Sequence, residues 1–248
     1  MSDDNKKSEN EINSNCVVAV PNPLGIPAYL SSVYDKIYIK GRLAKYLDTD
    51  RFANISTFGQ YEKIKQSVLQ EVKEMQNILW IGNAWGNLMR EIAQGIGLQG
   101  SFDVVEAAPR QTARLKEKLK DCSNSKVMLD DIEFYYPKKS RKRVKYDLVI
   151  AYFLLHEMPD RKKKRVIESL ISLTTRSGKI MFVDYDKPAK SNLLKYPVIW
   201  ANRIIEPFAE SLMTDGLEKF VPEPEKYIWE KVNFLDGLYQ RTTIKRKR

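Results

Sequence analysis

Five short apolar runs, spaced by stretches of helical periodicity, limit what this chain can fold into more than any other feature. The runs are Asn77–Ile81, Phe102–Val105, Lys126–Leu129, Tyr146–Ala151 and Lys179–Val183. Gly82, Glu106, the pair Asp130 and Asp131, and Asp184 follow four of them directly. Leu88, Ile92 and Ile96 recur at helical spacing after the first run. Residues 110–120 read as a strongly charged helix after the second. Lys162–Thr174 reads as a helix before the fifth, with its stop near Gly178. Strands that alternate with helices build a parallel sheet with crossover helices on its faces. The expected class is therefore α/β, Rossmann-like, with a mostly parallel sheet and flanking helices.

The flanks read differently. Residues 1–15 hold almost nothing to bury, and Pro21, Pro23, Gly25 and Pro27 keep the next stretch extended, so 1–26 is expected to be a disordered or extended tail. Residues 27–248 are expected to form a single domain. Within it, 27–75 is a helical cap, with Phe58, Tyr61, Ile64, Val68 and Val72 on one face, and 76–190 is the core. Residues 191–226 form a helical segment in which Trp200, Ile204, Phe208 and Leu212 repeat every four residues, and Pro197 and Pro207 bracket or kink it. Residues 227–245 alternate like strands around Asp236-Gly237, a hairpin signal.

Composition excludes several chemistries. Two cysteines, Cys16 and Cys122, rule out a disulfide scaffold and an all-cysteine zinc site, and a single histidine, His156, rules out any mechanism that needs two imidazoles. No apolar stretch approaches the roughly 18 residues of a membrane-spanning helix, and the polar N-terminus of mixed charge does not read as a signal peptide. The net charge of +10 comes from three clusters: 138–145 with six positive residues, 161–165 with five and 245–248 with four. Such patches suit an anionic membrane surface or nucleic acid. They lack the interleaved aromatic residues of single-strand binders, so no nucleic acid is expected.

The sharpest local signal is the strand–glycine–helix passage Ile78-Leu79-Trp80-Ile81-Gly82-Asn83-Ala84-Trp85-Gly86. Glycine lets backbone N–H groups approach a ligand, and the following helix N-terminus favours anionic groups. A nucleotide fold then wants an acid after the second strand for ribose hydroxyls, and Glu106 stands there, 24 residues after Gly82. Asp130 and Asp131, after the third strand, fall where an adenine edge would lie. The candidate cofactor residues are thus Trp80, Gly82, Asn83, Ala84, Gly86, Glu106, Asp130, Asp131 and Tyr152.

Over residues 60–190 this layout resembles the class I S-adenosylmethionine-dependent methyltransferases. Their first motif is a strand ending in an acid and then G-x-G-x-G; here Trp80 stands for the acid and Ala84 for the middle glycine. Over residues 27–241 the chain more closely resembles the RquA family of rhodoquinone biosynthesis proteins, relatives of the quinone methyltransferases. The segments that carry this likeness are Tyr152-Phe-Leu-Leu-His-Glu-Met-Pro159, Val183-Asp-Tyr-Asp-Lys-Pro188, Glu206-Pro-Phe-Ala209 and Gly237-Leu-Tyr-Gln240, with Pro27-Ala-Tyr-Leu30 through Gly59. Asp186 occupies a position that is often histidine in that family.

The resemblance implies conversion of ubiquinone to rhodoquinone, a carrier of anaerobic respiration. A ring methoxy group is replaced by an amine taken from S-adenosylmethionine, with a divalent metal, manganese, in attendance. It implies His156, Asp184 and Tyr185 as catalytic residues and His156, Asp184 and Asp186 as metal ligands. Tyr152, Trp200 and Phe208 would touch the quinone. It also implies a peripheral protein on the cytoplasmic side of the inner membrane, or on the mitochondrial inner membrane in a eukaryote. Methyl transfer to a quinone or another apolar molecule is the alternative chemistry, and a non-catalytic cofactor-fold or nucleic-acid-binding protein the alternative from another class.

Overall fold

The structure is a computed structural model that describes residues 48–135, 138–139, 142–193, 196, 198, 200 and 206–247. The expected tail and the first part of the cap lie outside these residues, as do most of the side chains of the 138–145 cluster.

Two short helices come first, α1 (Asp50–Ser56) and α2 (Tyr61–Leu69). Thr49 starts α1 by accepting a hydrogen bond from the Phe52 N–H at 3.2 Å, an N-cap. Tyr61, Ile64 and Val68 are buried on α2 as their spacing predicts. Phe58 departs from that stripe. It sits in the turn between the helices with φ of 50° and is 50% exposed, because the chain must reverse there.

The core follows as β1 (Asn77–Ile81), α3 (Leu88–Gly95), β2 (Ser101–Glu106), α4 (Pro109–Lys118) and β3 (Ser125–Leu129). A two-stranded ribbon, β4 (Lys138–Lys139) and β5 (Lys142–Arg143), precedes β6 (Tyr146–Tyr152). Then come α5 (Asp160–Leu173), β7 (Thr174–Tyr185), α6 (Glu210–Asp215), β8 (Tyr227–Phe234) and β9 (Tyr239–Arg246). The main sheet has seven strands in the order β3-β2-β1-β6-β7-β9-β8. β1, β2, β3, β6 and β7 run parallel, and β9 is antiparallel to both of its neighbours. With the ribbon set aside, this is the order 3-2-1-4-5-7-6.

Both faces of the sheet are covered, which explains why the strands read as continuous apolar runs. Ile78 and Trp80 point to one core with Ile92, Phe102 and Met181. Leu79 and Ile81, one residue out of phase, point to the other with Ile167, Leu170 and Phe182. The helix expected to run to Thr174 and stop near Gly178 ends at Leu173 instead. Strand β7 begins immediately, and its register against β6 slips between Tyr146 and Leu148. Gly178 lies in that irregular stretch, where a Cβ would come within 2.9 Å of the Asp147 carbonyl.

The hairpin around Asp236-Gly237 forms as expected, joining β8 to β9. The helical pattern over 191–213 is broken at 206–209, around the Pro207 that the sequence marks as a bracket or kink. Trp200 is 68% exposed, Phe208 is half-buried and Leu212 is fully buried on the separate helix α6, so the three do not share one face. Residues 201–205 lie outside the described part. Among the described residues, no helix is long and apolar enough to cross a membrane.

The basic run 161–165 is also not a free surface patch. Lys163 is fully buried and donates to Asp160, the Phe208 carbonyl and Ser211 at 2.9, 2.7 and 2.5 Å. Lys162 pairs with Asp131 and Glu133, and Arg165 pairs with Glu133. Three of the five charges therefore tie α5 to its neighbours.

Candidate active site

The carboxyl ends of the parallel strands meet where the strand order reverses, between β1 and β6, and a crevice opens there. One end is lined by Gly82, Asn83, Glu106, Gln111, Asp130 and Ile132, and the other by Phe153, His156, Glu157, Tyr185, Glu206 and Tyr239. Tyr152 lies between them, and α1 and α2 close over the top through Ala53, Thr57 and Tyr61.

The first end is built by turns. Gly82 has φ of 94°, a left-handed conformation open to glycine, and a Cβ there would lie 3.3 Å from the Tyr152 carbonyl. Glu106 closes β2 and accepts the Ala108 N–H at 2.8 Å. Burial pushes its carboxyl up to about 7, against the pull of those backbone N–H groups and of Arg114. Asp130 and Asp131 both reach the crevice, but Asp131 is held by Lys162 at 2.6 Å.

Three of the expected cofactor residues stand behind the crevice rather than in it. Trp80 is fully buried, stacks on Tyr152 with 4.9 Å between ring centroids, and donates its Nε1–H to the Gly82 carbonyl at 3.0 Å. It shapes the loop from below. The Ala84 and Gly86 carbonyls accept from Lys118 Nζ at 2.9 and 2.8 Å. The N–H groups at the start of α3 are also taken: Gly86 donates to Asp48 at 2.9 Å and Asn87 to Asp50 at 2.7 Å. Asp48 in turn pairs with Lys118 and Arg114, and Arg114 lies over the Trp85 ring and bonds Asn83. The helix N-terminus expected to greet a ligand is satisfied by the protein's own carboxylates. Nothing in the residues 77–95 alone signals this, because both acids come from before α2.

At the other end, His156 sits on a short 3₁₀ turn, Leu155–Glu157. Its Nδ1 lies 2.8 Å from Asp184 Oδ1 and its Nε2 3.5 Å from Glu206 Oε1. Burial alone would push the imidazole down, but Asp184 and Glu206 overcome it and hold the ring well above its ordinary value. The two carboxylates thus favour the charged form of the ring. Asp184 is buried and positions the turn, accepting the Leu154 and Leu155 N–H groups at 3.2 and 2.8 Å. It orients His156 and does not line the crevice.

Phe153 turns the chain out of β6 with φ of 44°, a strained conformation for an aromatic residue. Its ring meets Tyr185 and Tyr239 edge-on, and Tyr185 meets His156 edge-on at 5.2 Å. Tyr185 hydrogen-bonds Glu206, whose Oε2 is buried with no partner among the described residues. Phe153, Glu206 and Tyr239 escape an argument from strand ends alone, yet all three lie in the segments quoted above for the family resemblance.

The remaining expectations are corrected. Asp186 is buried but faces β8, where Lys231 pairs with it at 3.1 Å. His156, Asp184 and Asp186 therefore do not converge on one point, since Asp184 spends its oxygens on backbone N–H groups and on His156. Among the described residues, no three His, Cys, Asp or Glu side chains are arranged to hold a metal ion. The described residues do not fit manganese. Neither Trp200 nor Phe208 lines the crevice.

The strand order and the crevice decide the architecture. The fold is that of the class I S-adenosylmethionine-dependent methyltransferases. The mitomycin 7-O-methyltransferase MmcR superposes with a TM-score of 0.58 at 13% identity, over 80% of this chain and 56% of that one. The N-methyltransferase NodS of Bradyrhizobium japonicum superposes with a TM-score of 0.51 at 14% identity, over 75% of this chain and 96% of that one. Malonyl-[acyl-carrier protein] O-methyltransferase 1 of Ilyobacter polytropus is 26% identical over 133 residues. That stretch is 51% of this chain and 47% of the relative, so the match spans about half the length of each. No protein-family model matches the chain.

The acids of this methyltransferase-fold crevice imply a pH dependence. Burial pushes the Glu157 carboxyl up to about 8; His156 pulls it down, while Glu106, Glu206 and Asp184 add to the rise. A carboxyl raised on folding stabilises the fold fully below its ordinary value near 4.5, and that stability is lost as pH rises through the folded value. Glu106 and Glu157 act in the same direction, as does the raised imidazole of His156. The ligand-free protein should lose about 2 kcal/mol through Glu157 alone between pH 6 and pH 8. Urea unfolding at the two pH values measures it; equal stability would remove the basis for protonated acids in the crevice.

Proposed function

We propose that this chain is an S-adenosylmethionine-dependent transferase that replaces a ring methoxy group of ubiquinone by an amino group, forming rhodoquinone. One observation carries the reading. The four segments that resemble the RquA family come from distant parts of the sequence, and each contributes a side chain to the aromatic end of the crevice: His156, Tyr185, Glu206 and Tyr239.

The chemistry of that end suits a quinone ring. Phe153, Tyr185 and Tyr239 offer apolar edges to a flat ring. A methoxyquinone is a vinylogous ester, so at one ring carbon a bond to nitrogen forms and the bond to the methoxy oxygen breaks. The departing oxygen takes a proton and leaves as methanol; His156 Nε2 is the proton source. Glu206 Oε2 takes up the proton that the incoming nitrogen sheds. S-adenosylmethionine, when bound, would supply the nitrogen: its Cα–N bond would break after the Cα proton is lost and the electron pair passes into the quinone ring, with water taking the imine carbon away as a 2-oxo acid and the aminated ring released as its quinol. Glu106 would take the ribose hydroxyls, and Asp130 and Ile132 would flank the adenine. No carboxylate stands at the end of β1, where Trp80 is turned into the core, so nothing at that position holds an amine in its protonated form.

Methyl transfer is the second reading, and the match to a malonyl-[acyl-carrier protein] O-methyltransferase favours it. A product assay separates the two. The protein is incubated with S-adenosylmethionine and a short-tail ubiquinone, and in parallel with the corresponding hydroxyquinone, and the products are weighed by mass spectrometry. Loss of methoxy with gain of amino establishes the first reading. Gain of one methyl on the hydroxyquinone replaces it by the second, and no change in either acceptor sinks both.

A quinone with an isoprenoid tail must be met at an inner-membrane surface, so the reading includes peripheral attachment. Leu193, Tyr196 and Trp200 expose apolar side chains at helical intervals and suit that contact. The 161–165 run contributes less than its count of charges suggests, because Lys163 is buried and Lys162 and Arg165 are held in ion pairs.

A further inference from the structure

We propose that the Tyr239 hydroxyl donates to the carbonyl oxygen of the acceptor that is conjugated to the ring carbon under attack, and holds the negative charge that gathers there. This role rests on the quinone reading above, which gives Tyr239 only an apolar edge.

Among the described residues, four tyrosines line the crevice: Tyr61, Tyr152, Tyr185 and Tyr239. Two of them use their hydroxyls within the protein. Tyr61 donates to Asp50 at 3.1 Å, and Tyr185 bonds Glu206. The hydroxyls of Tyr152 and Tyr239 have no hydrogen-bond partner among the described residues. Tyr152 stacks on Trp80 between the two ends, which leaves Tyr239 as the unpartnered phenol of the aromatic end. It is only 1% exposed. A hydroxyl taken out of water without a partner carries a penalty, and a ligand that brings an acceptor removes it.

Packing fixes the position. Tyr239 opens β9 just after the hairpin turn, in register with Tyr185 on one side and Phe234 on the other. Its ring centroid lies 5.4 Å from that of Tyr185 and 5.6 Å from that of Phe153. His156 meets Tyr185 as well, at 5.2 Å. A flat ring lying against Tyr185 would thus have an imidazole at one edge and a hydroxyl at another. Burial and the Glu206 carboxylate both push the phenol up, so it stays a donor at neutral pH.

The exchange needs a donor there. When nitrogen bonds to the methoxy-bearing carbon, the electron pair of the ring double bond moves to the conjugated carbonyl oxygen. The pair returns when the bond to the methoxy oxygen breaks. The same oxygen gains charge again when the electron pair of the Cα–H bond enters the ring, and the protons lost from Cα and nitrogen then complete the quinol. A donor already held in place stabilises such an oxygen more than it stabilises the starting carbonyl.

Kinetics and infrared difference spectroscopy on the full chain test this role. The probe is a short-tail ubiquinone with an isotopic label at one carbonyl carbon or the other. Tyr239→Phe keeps the ring and its packing and removes the hydroxyl alone. Turnover to the aminated product should fall about a hundredfold, with KM within about threefold. In the unsubstituted protein, the carbonyl conjugated to the carbon that loses methoxy should vibrate at a lower frequency than in the free quinone, and Tyr239→Phe should restore it. The urea midpoint should not fall, because no protein partner is lost. Turnover within about threefold of the parent overturns the role, as does a lower urea midpoint with an unchanged spectrum. A conjugated carbonyl at its free-quinone frequency in the unsubstituted protein overturns it whether or not the variant folds. An unsubstituted protein that neither binds nor aminates the quinone instead overturns the acceptor assignment beneath it.

Discussion

Replacing His156 by glutamine should cut turnover by about a thousandfold and leave the dissociation constant of S-adenosylmethionine within about threefold. Asp184 and Glu206 favour the charged, proton-donating form of this ring, which sits between them. Glutamine can still donate to Asp184, so the 3₁₀ turn keeps its shape, but an amide cannot deliver a proton to a leaving oxygen. The nucleoside end lies beyond Tyr152 and does not touch the substituted side chain. Steady-state kinetics beside calorimetry separates the two effects. Turnover within tenfold of the unsubstituted enzyme would move the proton donor elsewhere.

Trp80 should prove a residue of the fold. Trp80→Phe keeps the stack on Tyr152 but loses the hydrogen bond to the Gly82 carbonyl, and should cost about 1–2 kcal/mol. Trp80→Asp, the substitution that would restore a family-like acid, buries a carboxylate among Ile78, Phe102 and Tyr152 and should cost about 4 kcal/mol or more. Denaturant unfolding measures both. An aspartate variant as stable as the parent would mean that this side chain can turn into the crevice, and would reopen the question of an ammonium clamp on β1.

The sheet was legible because its signals are local. Each parallel strand is a short apolar run, and four of the five end on Gly82, Glu106, Asp130 or Asp184, turn and edge residues whose chemistry is visible without neighbours. The aromatic end was less legible. Glu206 and Tyr239 lie about 50 and 83 residues beyond His156 in the chain, and only the antiparallel insertion of β9 beside β7 brings Tyr239 to Tyr185. Charge misled in two places. Run 161–165 looks like a surface patch, yet Lys163 lies on the inner face of α5 and is satisfied there. Asp184 and Asp186 look like a ligand pair, yet they are two residues apart on a strand end, and one serves the 3₁₀ turn while the other serves Lys231.

The clasp of Asp48 and Asp50 on the start of α3 also settles which ligands this glycine loop turns away. In dinucleotide-binding sheets the same place receives a pyrophosphate, drawn by free N–H groups and the helix dipole. Here the Gly86 and Asn87 N–H groups are engaged, and a phosphate arriving there would face two carboxylates instead of two donors. A nucleoside without phosphates needs neither of these N–H groups, so their engagement costs it nothing at this position.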